Sequence, residues 1–316
     1  MQILITGATG FIGQHLVAAL STEHQLTVIS RRRDKAERLF AEQVQVRRLD
    51  ELNNLDAFDV IINLAGEPIA DRYWTTRHKE RIAQSRWLLT EALQQKLAVS
   101  QPRPRLWLNA SAIGFYGQSD ANGVNEYSPV AQPDFAHQVC QRWEQLATMA
   151  AEHQCRVCLL RLGIVLGKEG GVLQRLLPLY RLGLGSQLGS GKQFISWIAI
   201  DDVIAAIQFL LTRHECHGAY NLTTPYPVSQ LDFSRQLARS VQRPHWLWTP
   251  AWLLRLLLGE RAALLINGPA VYPQRLQEAG FTFAFPELSQ ALHHVLGGAP
   301  VTGRTESGPS SANSRD

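Results

Sequence analysis

Sulfur is scarce in this chain of 316 residues, which has four cysteines and two methionines. Four thiols (Cys140, Cys155, Cys158 and Cys216) are too few to staple a chain of this length. A disulfide scaffold is therefore excluded, and a reducing, cytoplasmic setting is expected. No apolar run reaches about 18 residues without a charge, so no membrane span and no membrane partner are expected. The first apolar stretch, 3–5, lacks a basic leader and a cleavage site and does not read as a signal peptide. Long basic blocks are missing as well. The 31 Lys and Arg against 27 Asp and Glu leave a net charge of +4 in scattered pairs, which argues against nucleic acid as a partner. There is no internal repeat. At 45% hydrophobic and 18% charged residues the balance is globular. At about 150 residues per domain the length predicts two units, or one large α/β domain with a smaller lobe.

What is present is an alternation. Residues 2–6, 25–31, 44–48, 59–64, 105–111 and 156–165 read as short strands, and 11–24, 34–43, 78–98 and 134–153 as helices. Strands this apolar are covered on both faces, which predicts an α/β Rossmann fold with a doubly wound parallel sheet. Beyond Gly167 glycines punctuate 168–192. Residues 194–200 then read as a strand, 201 to about 212 as a helix opened by Asp201 and Asp202, and 219–223 as a further strand. From Ser229 the chain reads as mainly helical, with a Trp and Leu stripe over 246–258 that fits a packed lobe or a homodimer face.

The strongest local signal is Ile3-Leu-Ile-Thr-Gly7-Ala-Thr-Gly10-Phe-Ile-Gly13, which ends a strand and opens a helix. Glycines there permit a tight turn and close approach of backbone to a ligand. The N–H groups of Phe11 and Ile12 would face a pyrophosphate at the helix start, so Gly7, Thr9, Gly10, Phe11, Ile12 and Gly13 are dinucleotide-binding candidates. The end of the second strand selects the cofactor. An NAD site usually carries an acidic residue there, whereas this chain has Ser30-Arg31-Arg32-Arg33. Guanidinium groups suit a 2′-phosphate, which favours NADP(H); the alternative is a solvated loop with Asp34 capping the next helix. The expected organisation is an NADP-binding Rossmann domain of 1–167 plus about 191–224, a substrate lobe of 168–190 and 225–296, and a disordered tail of 297–316.

Thr6-Gly-Ala-Thr-Gly-Phe-Ile-Gly13, Asn63-Leu-Ala-Gly66 and Ser111-Ala-Ile-Gly-Phe-Tyr-Gly117 together resemble three motifs of the extended short-chain dehydrogenases/reductases. A closer likeness lies in Gly66-Glu-Pro-Ile-Ala70, Arg161-Leu-Gly-Ile-Val-Leu-Gly167, Trp197-Ile-Ala-Ile-Asp-Asp202, and the stretch from Pro227-Val-Ser to Pro273-Gln-Arg-Leu-Gln-Glu-Ala-Gly280-Phe. These resemble the "epimerase family" of nucleoside-diphosphate-sugar epimerases with a distinctive C-terminal lobe, over residues 1 to about 295. The resemblance implies NADP binding. By matched position it implies cofactor contacts from Ser30, Arg31, Leu64, Ala65, Glu80, Arg86 and Val165, with Gly66 closing the fourth-strand motif and Arg32 beside Arg31.

The larger family moves protons with Tyr-x-x-x-Lys, the lysine lowering the tyrosine pKa. That pair is absent. Aligned on Glu144, Ala136 stands in the tyrosine place and Cys140 in the lysine place, while Ala112 stands where the orienting serine is commonest. The catalytic candidates that remain are Ser111 and Tyr116, at the carboxyl end of the fifth strand where open α/β sheets bind ligands. Glu126 matches a family loop glutamate facing the cleft. Cys140 reads as a buried thiol and His137 as a structural or surface histidine. Cys155 and Cys158 face opposite ways on a strand and have no second pair, so no metal is expected. Arg181, Lys192 and Gln193 stand where extended members build a substrate loop, or form a surface turn. Ala199 replaces a histidine frequent in the subgroup. Two functional readings follow. One is an NADP-dependent epimerase or reductase acting on a small molecule such as a sugar nucleotide. The other is a redox sensor that binds NADPH without turnover.

Overall fold

The computed structural model describes residues 1–118, 123–130 and 132–297; the tail expected over 297–316 lies, but for Gly297, outside the described residues. Six strands, β1 (Gln2–Thr6), β2 (Gln25–Ile29), β3 (Gln45–Arg47), β4 (Val60–Asn63), β5 (Leu106–Ala112) and β6 (Arg156–Leu162), join a seventh at Gly218–Leu222. From that seventh strand the order runs β6-β5-β4-β1-β2-β3, every pairing parallel. Strand order reverses between β1 and β4, so a crevice opens at their carboxyl ends.

Period-two alternation decides which side chain goes where. On β1, Ile3 and Ile5 enter the core beneath α1 (Phe11–Leu20), while Leu4 enters the opposite core. The second core is closed by Leu93 and Leu97 of α3 (Thr76–Ala98) and Ala147 of α4 (Phe135–Thr148). Between them in the chain, α2 (Arg33–Phe40) buries only Ala36 and Phe40. The helix starts are set by side chains. Thr75 accepts from the His78 N–H at 3.2 Å and Asp134 from the His137 N–H at 2.9 Å, each worth about 1 kcal/mol.

The strand expected over 156–165 divides at Gly163. A Cβ there would lie 2.5 Å from the Ser196 carbonyl oxygen. The chain changes partner at this point, since Gly163 N–H donates to Leu222 and Ile164 N–H to Ser196. A short strand β7 (Ile164–Gly167) follows and pairs with Trp197–Ala199 and with Gly170–Gly171. The strand expected over 194–200 also divides. Ser196 is pinned through its hydroxyl to Pro269 and Val271, so Phe194–Ile195 pairs with Val228–Ser229 instead. The small sheet is shared between two cores. Trp197 and Ala199 face the lobe, and Ile198 faces the main sheet.

The C-terminal lobe is mainly helical. It packs α5 (Leu173–Arg181), α7 (Gln230–Ser240) and α11 (Leu288–Val295) around Trp197, Phe233 and Leu292. Helix α6 (Ile200–Thr212) returns to the main core against α1. Short helices α8 (Ala251–Leu258), α9 (Ala263–Ile266) and α10 (Gln274–Glu278) complete the chain, and Leu276 of α10 is buried in the main core. Two strand pairs add to these helices, one of them Ser186–Leu188 with Leu247–Thr249.

Candidate functional site

The Gly-rich turn links β1 to α1 at the switch point. Gly7 has φ +73°, and a Cβ on it would lie 2.6 Å from the Leu64 carbonyl carbon and 2.7 Å from the Ala65 nitrogen. A Cβ on Gly13 would lie 2.5 Å from the Gly7 oxygen. The turn and the Leu64–Gly66 segment after β4 are therefore in backbone contact, which only glycine permits. Thr6 donates to Asn63 at 2.6 Å beneath them. Gly10 caps α1 without a side chain, so the first N–H groups of the helix are not consumed by a cap. Thr9 stands half-buried in the turn. The Phe11 ring points into the Gly167–Gly171 hairpin. A Cβ on Gly170 would lie 2.2 Å from it and one on Gly167 2.4 Å.

At the end of β2 a cavity of about 570 Å³ is lined by six basic side chains, Arg31, Arg32, Arg33, Lys35, Arg38 and Arg48, and by one carboxylate, Asp34. Ser30 closes the turn through its hydroxyl with the Arg32 backbone. Arg33 is held by Glu37 and Arg48 by Asp50. Among the described residues, Arg31 and Arg32 have no carboxylate within ion-pair distance. Two of the guanidinium groups in this cavity are thus without an ion-pair partner among the described residues.

Arg86 stands half-buried on α3, where a Cβ on Gly66 would lie 2.7 Å from its guanidinium carbon. It donates through Nη1 to the carbonyls of Glu67 at 3.0 Å and Ile82 at 2.9 Å and lies 5.2 Å from the Trp143 ring. Burial lowers its pKa, and no carboxylate pairs with it among the described residues. Glu80 is exposed on the same helix, and Val165 of β7 packs on the main core.

The two catalytic candidates lie in one buried polar chain. Ser111 donates to Glu144 at 2.6 Å, and Glu144 accepts a two-pronged contact from Arg161 at 2.9 and 2.8 Å. Arg161 also donates to the Tyr116 hydroxyl at 3.1 Å, which donates to Asn221 at 2.8 Å. The Arg161 guanidinium stacks 3.5 Å from the Phe115 ring centroid. Ser111 is 2% exposed and Tyr116 0%, and burial raises the tyrosine pKa, the wrong direction for a base. Both hydroxyls therefore have protein partners. Cys140 is buried beside Ser111, with its thiol pushed up to about 11 by burial and the Glu144 charge. Ala136 lies 3.0 Å from the position of a Cβ on Gly114, so α4 approaches the turn after β5 too closely for a large side chain.

The remaining candidates have local roles. Glu126 accepts from the Asn221 N–H, and the His137 ring bonds the Phe115 carbonyl. Gln193 donates to Leu188 and Leu265, while Arg181 and Lys192 are exposed. Ala199 is fully buried in the lobe core. Cys155 and Cys158 enter cores on opposite faces of the sheet.

A second cavity, of about 530 Å³, opens between the two lobes and is lined by Trp74, Gln118, Phe135, Arg255, Glu260 and Asn267. The segment 70–79 beside it is gripped from the lobe, a contact no motif announces. Tyr73 donates to the Leu257 carbonyl at 2.6 Å, Arg261 stacks 4.4 Å over the Tyr73 ring and bonds the Ala70 carbonyl, and Lys79 pairs with Glu260 and Asp71 with Arg175.

An open parallel sheet with a glycine turn at its switch point, carried on to a helical lobe across a cleft, defines a nucleotide-binding Rossmann protein of the short-chain dehydrogenase/reductase type. The family model for the NAD dependent epimerase/dehydratase family matches residues 3–223, and a model for a domain of unknown function (DUF1731) matches residues 249–295. The chain belongs to that epimerase family. It is 36% identical over 304 residues to the chloroplastic epimerase family protein SDR39U1 homolog of Arabidopsis thaliana, covering 94% of this chain and 87% of that protein. An epimerase family protein of Staphylococcus epidermidis is 33% identical, over 93% of this chain and 99% of its own length. The crystal structure of human epimerase family protein SDR39U1 with NADPH superposes with a TM-score of 0.85 at 30% identity, covering 93% of this chain and 99% of that one.

Proposed function

We propose that this protein binds NADP(H) in preference to NAD(H) and works as an epimerase or reductase on a small molecule of the sugar-nucleotide class. One observation carries the cofactor choice: Arg31 and Arg32 stand without carboxylate partners beside a glycine turn that admits no side chain. These residues fit a dinucleotide with a 2′-phosphate. The start of α1 would take the pyrophosphate, the two arginines the 2′-phosphate, and the Leu64–Gly66 backbone the flank of the nucleotide. Arg86 adds a positive charge beside Gly66. When bound, the nicotinamide supplies hydride chemistry. The cavity of about 530 Å³ between the lobes has room for a small molecule, with Arg255, Asp134, Glu260, Gln118 and Asn267 as its polar lining.

A second reading, an NADPH sensor without turnover, is favoured by Ala136 and Cys140 in place of the proton-transfer pair and by the engaged hydroxyls of Ser111 and Tyr116. Calorimetric titration of nucleotide-free protein with NADPH, NADP⁺ and NADH tests both readings. Replacing Arg31 and Arg32 together by alanine is expected to weaken NADPH binding by about 10- to 100-fold and leave NADH binding unchanged, the loss of one or two charge-assisted hydrogen bonds. NADH binding within about threefold of NADPH would overturn the cofactor reading. A preference for NADPH over NADP⁺ above about 100-fold, near 2.7 kcal/mol, selects the sensor, and similar affinities select the enzyme.

A further inference from the structure

The outer face of the C-terminal lobe carries apolar surface that the fold leaves in water. Trp246 is 78% exposed, Trp248 63% and Trp252 65%, with Leu182, Leu184 and Leu256 also exposed. These residues sit on adjoining pieces of chain. The strand Leu247–Thr249 pairs with Ser186–Leu188, the Trp248 ring nitrogen donates to the Gly189 carbonyl, and Arg243 donates to the Arg181 carbonyl. Trp246 and Trp248 share a strand face by their spacing, and Trp252 and Leu256 share a helix face. Single exposed leucines are ordinary; three exposed tryptophans in one neighbourhood are not.

The charge of the same segments is one-sided. Between Glu169 and Asp201, and again between Asp232 and Glu260, there is no acidic residue. Seven Lys and Arg stand in those two stretches, of which Arg175 pairs with Asp71 and Arg255 lines the cavity between the lobes, leaving Arg181, Lys192, Arg235, Arg239 and Arg243. Arg235, Arg239 and Arg243 follow one another at helical spacing toward Trp246. All three are exposed, and none has a carboxylate partner among the described residues.

We infer that this face docks on an anionic lipid surface. Exposed tryptophan and leucine, interleaved with arginine and carrying Asp232 as the one carboxylate beside Arg235 and Arg239, suit the interface of a bilayer, where indole rings settle at headgroup level and guanidinium groups meet phosphate. The mode is docking rather than spanning. Helix α8 has eight residues, and among the described residues no helix is long and apolar enough to cross a membrane. A second copy of the chain is the poorer occupant, because two-fold pairing would set one net-basic face against another.

Flotation of the full-length, NADPH-loaded chain with vesicles tests this. Binding is expected to equal parts of phosphatidylcholine and phosphatidylglycerol, with a blue shift of tryptophan emission, and not to phosphatidylcholine alone. Added salt should weaken it. Replacing Arg235, Arg239 and Arg243 by glutamine should lower the partition about a hundredfold, from the loss of three surface charges. A Trp246→Ala, Trp248→Ala, Trp252→Ala variant should lose both binding and the blue shift. Both variants should keep NADPH affinity and a cooperative melt, which shows that they fold, with the midpoint lowered modestly by loss of the Trp248–Gly189 and Arg243–Arg181 bonds. Equal binding by either variant, or no preference for the anionic vesicles, overturns the proposal. So does self-association without lipid that the tryptophan variant abolishes.

Discussion

Glu126 sets a half-buried carboxylate against two backbone N–H groups, those of Asn221 at 2.8 Å and Arg275 at 3.4 Å. Burial pushes its pKa above the ordinary 4.5, although those hydrogen bonds pull the other way. A carboxyl with a raised native pKa holds its proton more tightly folded than unfolded. Its contribution to stability is complete below the unfolded value and declines as pH rises through the folded one. The advantage of the wild type over Glu126→Gln should therefore be largest at about pH 4 and smaller at about pH 7, in urea melts at the two values. An advantage that grows with pH would show that the backbone donors outweigh burial. At this scale the sequence was legible in residue type and position but not in pairing. Ser111 and Tyr116 stand at the carboxyl end of β5, as their motif implies. Their partners Glu144, Arg161 and Asn221 come from three other elements, and only the sheet register brings Arg161 opposite Ser111.

Between elements, the contact of α1 with the hairpin after β7 shows how a glycine cluster acquires meaning from its neighbour. The run Gly167-Lys-Glu-Gly170-Gly171 reads in sequence only as the start of the glycine punctuation over 168–192. In the fold it is a seat for the Phe11 ring, and so it couples the glycine turn after β1 to the lobe. Gly170→Ala would place a methyl group 2.2 Å from the ring. Overpacking of this kind costs about 1–3 kcal/mol, which at this size lowers the melting midpoint by about 2–4 °C per kcal/mol. Phe11→Leu in the same chain should recover most of the loss. Strictly additive effects in that double-mutant cycle would show that the two positions do not touch. The same logic explains the two divided strands. Hydropathy runs unbroken through 156–165 and 194–200, and the breaks at Gly163 and Ser196 arise from backbone and hydroxyl contacts with distant chain.

For the molecule as a whole, the main sheet was readable because β1, β2, β4, β5 and β6 are largely apolar runs and helices α1 to α4 separate most of them, the short β3 and its link to β4 without an α-helix excepted. The lobe was harder to read. Its sheets are built of strands of two to four residues held by tertiary context, and although 246–258 reads as a Trp and Leu stripe, only the fold shows that Trp246, Trp248 and Trp252 stay exposed rather than packed in the lobe. The grip on segment 70–79 belongs to this scale, for it ties the lobe to the loop that leads from β4 to Arg86. The ion pairs Lys79–Glu260 and Asp71–Arg175 are exposed and contribute little singly. Tyr73 holds more, through one hydrogen bond to Leu257 and the stack beneath Arg261, together about 1–2 kcal/mol. Tyr73→Ala should thus shift the balance between gripped and released loop by about 10-fold, since 1.4 kcal/mol is a factor of ten. If the grip closes the cleft over bound nucleotide, release of the loop precedes release of the nucleotide. NADPH dissociation in stopped flow should then accelerate by a similar factor, while Glu260→Gln changes it by less than about twofold. An unchanged dissociation rate in the Tyr73 variant, with a melting midpoint lowered as expected, would make the grip a purely structural tie between lobes.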